Sequence, residues 1–221
     1  MSKNKDNYIS TAKAIAIILM VTAHSFPPQI ACSFIALFHM PVFFFYSGYF
    51  LKIPKNWSEW KVFAKKRVKG LYFPYLKWSI AFLLLHNVFY YMHFYHENYV
   101  YYNVPQHLYD WHDYLLHLFF IITSMNYHEQ LLGGFWFLKV LLLAAILVSV
   151  VLFVVGKNSK MRLIIVAFSL WGLTIVFKMA NMQFLVVGKL YLVTFGALFY
   201  LSGYIYKCYE ERLQVDRKSV V

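Results

Sequence analysis

The stretch "GFWFLKVLLLAAILVSVVLFVV", Gly134–Val155, carries a single charged residue, Lys139. At ~1.5 Å per residue it makes a helix long enough to cross ~30 Å of hydrocarbon. Lipid offers no hydrogen-bond partners, so a spanning segment must satisfy its own backbone, as a helix does. No stretch shows the strand alternation of a barrel. The fold class is set by this reading: an all-α, polytopic membrane helix bundle.

Working outward, about six transmembrane helices are expected: Ile9–Phe26, Ile30–Leu51, Trp78–Tyr95, Gly134–Val155, Leu163–Phe177 and Leu190–Tyr206. Glu59–Pro74 is basic and semi-apolar and reads as an interfacial helix. Tyr114–Met125 is apolar but too short to cross, so it is expected to be re-entrant or to lie on the surface. No internal repeat, soluble domain or low-complexity linker interrupts residues 1–221, which read as one membrane domain.

Composition agrees. The chain is 61% hydrophobic and only 14% charged, where a soluble domain would carry roughly 25% charged residues. The net charge of +12 does not indicate nucleic acid, because the cations sit in short segments between apolar runs. With the N-terminus in the cytoplasm, seventeen basic residues fall inside and two, Lys178 and Lys189, outside. That asymmetry predicts a multi-pass protein of the cell membrane with both termini cytoplasmic. The orientation separates Cys32 from Cys208, and two cysteines are too few for a disulfide framework. The first apolar run follows Lys3 and Lys5 but lacks a small-x-small cleavage site, so it reads as a retained span.

"KAIAIILMVTAH", Lys13–His24, holds an ammonium and an imidazole in a membrane-like run. Eleven steps of ~100° place both on one helix face, ~16 Å apart along the axis. Two readings stand: Lys13 snorkels to the headgroups and His24 hydrogen-bonds at the interface, or both line a cavity. In "FHMPVFFFYSGYF", Phe38–Phe50, Pro41 is expected to bend the helix and Gly48 to allow close backbone approach. His39 falls near the membrane level of His24, and the pair reads as structural partners or as part of the cavity. In "FAKKRVKGLYFPYL", Phe63–Leu76, Lys65, Lys66, Arg67 and Lys69 form a compact positive patch. It reads as an anchor on anionic lipid or as a seat for a phosphorylated molecule, with fork-shaped Arg67 best suited to phosphate. No Walker loop or dinucleotide glycine fingerprint is present.

With "GFWFLKVLLLA", Gly134–Ala144, these segments resemble the acyltransferase-3 family of membrane proteins, particularly its fucose 4-O-acetylase-like subgroup. The pieces occur in the family's order over most of residues 9–145. The resemblance implies O-acetylation of a cell-surface or lipid-linked glycan from cytoplasmic acetyl-CoA, with no metal. His24 matches the family's catalytic histidine, and Lys13 with Lys65, Lys66, Arg67 and Lys69 match cofactor-facing positions. Ser10 stands where the subgroup has an acid. The family has more spans than this chain, so its C-terminal spans are expected to be missing.

The chemistry that the residues permit is attack of an acceptor hydroxyl, deprotonated by neutral His24, on the thioester carbonyl. His39, Ser47, Trp136 and Lys139 are candidates to line the acceptor cavity. Trp136 alternatively reads as an interfacial anchor. Lys139 resists that explanation, because snorkelling outward would break the positive-inside pattern. The segment His96–Gly133 holds Tyr99, Tyr101, Tyr102, Tyr109, Trp111 and Tyr114, an aromatic belt or a sugar-stacking surface. His107, His112 and His117 recur every five residues and do not share a helix face. Asp110, Asp113 and Glu129 read as solvated acids. The expected partners are the lipid bilayer and a glycan or lipid-linked sugar. A glycan or acyl transporter and an inactive truncated paralogue are the alternative functions.

Overall fold

The computed structural model describes residues 3–23, 28–95, 107–126, 129–156, 160–184 and 188–219. Among these are seven α-helices: α1 (Lys3–Ala23), α2 (Gln29–Tyr49), α3 (Trp57–Tyr91), α4 (Trp111–Ser124), α5 (Trp136–Val155), α6 (Lys160–Met179) and α7 (Leu190–Ser219). A 3-10 turn, Gln130–Phe135, leads into α5. A two-stranded hairpin, β1 (Gln183–Phe184) with β2 (Gly188–Lys189), joins α6 to α7.

Three helices are long and apolar enough to cross a membrane: α2, α5 with its preceding turn, and α6. The apolar part of α1, Tyr8–Ala23, is shorter. The expected span Leu190–Tyr206 is the first part of the longer α7. The expected interfacial helix and the span after it are not separate. They form one continuous helix, α3, which passes through Pro74 and ends at Tyr91 rather than Tyr95. A proline removes one N–H and crowds the preceding turn, and helical residues on both sides carry the helix through. Its start is fixed by Asn56, whose side-chain oxygen accepts from the N–H of Glu59 at 2.8 Å. The Glu59 carboxylate in turn accepts from Lys55 N at 3.0 Å. Pro41 likewise lies inside an unbroken α2.

α4 and α5 both run antiparallel to α3, and α6 runs antiparallel to α7. Trp60 at the start of α3 donates to Ser149 late in α5, and Thr174 late in α6 donates to Thr194 early in α7. The α6–α7 hairpin and the start of α5 therefore share one end of the bundle. The basic starts of α3 and α6 and the close of α7 share the other, called here the basic end.

α7 is the central element, packed by α2, α5 and α6. Apolar helices gain little hydrophobic free energy by leaving lipid, so association rests on close packing. Glycine permits it here. A Cβ on Gly48 would collide with the Tyr200 carbonyl, and one on Gly203 would collide with the Phe45 carbonyl. α2 and α7 thus touch backbone to backbone, side by side and in the same direction. Phe44, Leu141, Ala144, Ala145, Val148 and Leu201 fill the core around this contact. Ile164, Ile165, Phe168 and Trp171 of α6 point outward and are exposed, as a hydrocarbon-facing surface requires. A second cluster, Tyr75, Leu83, Tyr109 and Ile121, joins α3 to α4.

Candidate active site

α1 packs on α2 alone among its closer neighbours. That contact brings Lys13 to the basic end of α2, where its Nζ lies 5.2 Å from the Phe50 ring centre and 6.0 Å from that of Tyr46. The half-buried ammonium rests on π-faces, a favourable contact that leaves its donors free to turn elsewhere.

Phe50 is also a wall of a cleft of about 400 Å³, shared with Lys52, Glu59, Phe63, Lys66 and Arg67. The volume suits a small-molecule group. Arg67 is held firmly: its Nη2 donates to the Tyr200 hydroxyl at 3.1 Å, and its guanidinium lies 5.2 Å from the Phe63 ring centre. Tyr200 is fully buried, so the helix that closes the core also aims the arginine. Nearby, Tyr49 donates to Glu210 at 2.8 Å and Lys207 donates to the Leu51 carbonyl at 3.2 Å, tying α7 to the end of α2.

Of the sequence-derived cationic patch, Lys66 and Arg67 line the cleft. Lys65 and Lys69, a turn apart on another face of α3, are exposed and do not line it. Lys13 and Arg67 are far apart in sequence, yet Phe50 adjoins Lys13 and lines the cleft with Arg67. His24 lies outside the described residues. From Lys13 to Ala23, α1 carries the chain about 15 Å toward the far end. His39 is half-buried in α2, and its Nδ1 faces the Ile35 carbonyl at 2.8 Å. A carbonyl only accepts, so Nδ1 carries a proton there. Ser47 is half-buried beside Gly48.

Trp136 and Lys139 lie at the opposite end of the bundle, in the first turn of α5. Trp136 is 40% exposed, while Lys139 is buried with its Nζ against the backbone of Gly188 in the hairpin. The candidate residues therefore divide into two sets separated along the helix axes.

One polar network has no counterpart in the sequence reading. His86 is fully buried, with Nδ1 3.2 Å from a Glu129 carboxylate oxygen and 3.0 Å from the Tyr95 hydroxyl. Its Nε2 donates to the His107 carbonyl at 3.0 Å. The ring stacks on Tyr109 at 3.5 Å with a 9° tilt. Glu129, expected to be solvated, is 1% exposed. The network ties α3 to the segments flanking α4, because burial forces a carboxylate to find donors. The available signal was periodic: Tyr75, Ser79, Leu83 and His86 form the buried stripe of α3, and a histidine on such a stripe needs a partner. Tyr75 and Ser79 on the same stripe have buried hydroxyls without a hydrogen-bond partner.

The start of α4 is a reciprocal cap. Asp110 accepts from Asp113 N at 2.8 Å, and Asp113 accepts from Asp110 N at 3.2 Å. The Asp110 N–H, with His107 at 3.1 Å, holds the Asp113 carboxyl below its ordinary pKa. Asp110, His112 and Asp113 bring potential ligand atoms within 4.8 Å of one another, but both aspartates are already committed to the cap. Tyr109 is buried and Trp111 is 74% exposed. Tyr99, Tyr101 and Tyr102 lie outside the described residues.

A family model described as an acyltransferase domain, of the acyltransferase-3 type, matches residues 6–219. No curated protein and no solved structure matches the chain.

Proposed function

The chain belongs to the acyltransferase-3 family and is a membrane acyltransferase, and from that premise we propose that it moves an acetyl group from cytoplasmic acetyl-CoA to a sugar hydroxyl of a cell-surface or lipid-linked glycan. The observation that carries the reading is the cleft at the basic end, where Lys66 and Arg67 share a wall with Phe50 and Lys13 lies against the same ring. Arg67 is braced by Tyr200, so its remaining N–H donors are preorganised for the phosphates of the coenzyme. Preorganisation matters because a guanidinium already fixed in place loses little freedom when it binds. The cation count favours a cytoplasmic basic end, where the acyl donor is made.

Lys13, against the Phe50 ring at the cleft, shares by spacing one face of the first apolar run with His24. The acceptor hydroxyl gives its proton to neutral His24, its oxygen attacks the thioester carbonyl, and the C–S bond breaks as the imidazolium returns the proton to sulfur, so the coenzyme leaves as the thiol. Only a neutral imidazole accepts that proton. The subgroup reading, a fucose O-acetylase-like enzyme, belongs to the same proposal. Membranes carrying His24→Ala, given labelled acetyl-CoA and native glycan, should transfer acetyl ~10²–10⁴-fold more slowly than wild type. Transfer within threefold of wild type excludes His24 as the base.

A further inference from the structure

From Gln130 to Tyr209 the chain contains no aspartate or glutamate. Lys139 lies within that stretch, is 7% exposed, and has its Nζ 3.6 Å from where a Cβ on Gly188 would stand. Gly188 has φ +78°, a conformation that favours glycine, so bare backbone adjoins the ammonium. The ion pairs among the described residues, His86–Glu129 and His107–Asp113, do not involve it. A buried ammonium without an anion is costly, and the penalty falls when a counter-charge arrives. α5, α6 and α7 as far as Tyr209 have no acid, and on the α3–α4 side Glu129 is bonded to His86 while Asp110 and Asp113 cap α4. Lys178 at the close of α6 and Lys189 on β2 are exposed at the same end. With Glu129, Asp110 and Asp113 so engaged, these three ammoniums favour an anion from outside at this end of the bundle.

The depth of the site narrows the anion. Lys139 is in the first turn of an apolar helix, beside half-exposed Trp136, the level at which headgroups begin. The anion common at that level is a phosphate ester, from a phospholipid headgroup or from the phosphate that links a sugar to a lipid carrier. A lysine is a compact charge with three donors and binds phosphate as a point charge. We infer that Lys139, under the α6–α7 hairpin, binds a lipid phosphate at the end of the bundle opposite the cationic cleft. The inference rests on the acyl-transfer reading in one respect, that this phosphate anchors the acceptor, but binding is measured without any acyl donor, so the two can fail separately.

The test uses the purified full chain in phosphate-free dodecyl maltoside micelles, titrated with polyprenyl phosphate, with phosphatidylglycerol, and with uncharged polyprenol as control. Binding is read by native mass spectrometry and by the thermal midpoint. Wild type should bind polyprenyl phosphate and raise its midpoint, with polyprenol giving no shift. Lys139→Met keeps length and volume while removing the charge, and should weaken binding at least tenfold. Lys139→Gln gives the same answer should the methionine variant misfold. Equal, Lys139-dependent binding of phosphatidylglycerol supports the site and assigns the phosphate to the headgroup. A preference for polyprenyl phosphate assigns it to a lipid-linked acceptor. Undiminished binding in a folded Lys139 variant, or wild-type binding no stronger than to polyprenol, overturns the inference.

Discussion

Replacing Gly203 by alanine tests the contact on which the bundle closes, and Gly70→Ala is its matched control. Both glycines are helical, one in α7 and one in α3. A Cβ at position 70 meets nothing within 4 Å, whereas one at 203 collides with the Phe45 carbonyl and lies 2.9 Å from Tyr49 N. In a helix, glycine to alanine gains about 0.8–1 kcal/mol when nothing else changes. Gly70→Ala should therefore stabilise by roughly that amount. At position 203 the backbones of α2 and α7 must separate by about an ångström to restore ordinary van der Waals distances. Overpacking of that kind costs about 1–3 kcal/mol before relaxation is exhausted. The propensity gain is common to both, so the two variants should differ by roughly 1–3 kcal/mol. At about 2–4 °C per kcal/mol for a chain of this size, their midpoints should separate by roughly 2–12 °C. Heating the purified protein in detergent and following the monodisperse fraction by gel filtration reads the difference. Were Gly203→Ala as stable as Gly70→Ala, the backbone contact between α2 and α7 would not exist and the core would need another arrangement.

Two further outcomes follow from the side-chain networks. Arg67→Lys keeps the charge but loses the fork and the bond to Tyr200, so the apparent KM for acetyl-CoA should rise about tenfold with kcat little changed. A fall in kcat at constant KM in initial-rate assays would remove Arg67 from donor binding. Glu129→Leu should destabilise by about 1–3 kcal/mol, because the buried Nδ1 of His86 loses one of its two partners. Adding His86→Phe should recover part of that loss, and strict additivity in the double-mutant cycle would show that the two side chains do not interact.

The architecture was legible where one physical demand dominates. Gly134–Val155 has no stable location outside an apolar phase, and α5 lies where the sequence placed it. Gly48 was readable as a position of close backbone approach, and the Tyr200 carbonyl occupies the space its missing Cβ leaves. α3 was misdivided because Pro74 reads as a stop locally, while the residues on either side favour continuing the helix. The site was partly legible. Charge and spacing singled out Lys13 and Arg67 as candidates, but not the Phe50 ring that adjoins one and shares a cleft with the other, nor the exposure of Lys65 and Lys69 away from the cleft. His86 and Glu129 are 43 positions apart. Nothing in local pattern pairs them, because the pairing exists only after α3, α4 and α5 have packed.

The parallel contact of α2 with α7 also sets a schedule for biogenesis. Gly48 and Gly203 seal against each other's helices, yet roughly 150 residues separate them. At about 5–20 residues per second of synthesis, α2 waits roughly 8–30 s for the neighbour it was shaped to meet. During that interval the groove at Gly48 is open to lipid or to an assisting insertase. A ribosome that stalls before α7 leaves a nascent chain whose earliest helices have no permanent home, and membrane quality control could recognise it by that vacancy.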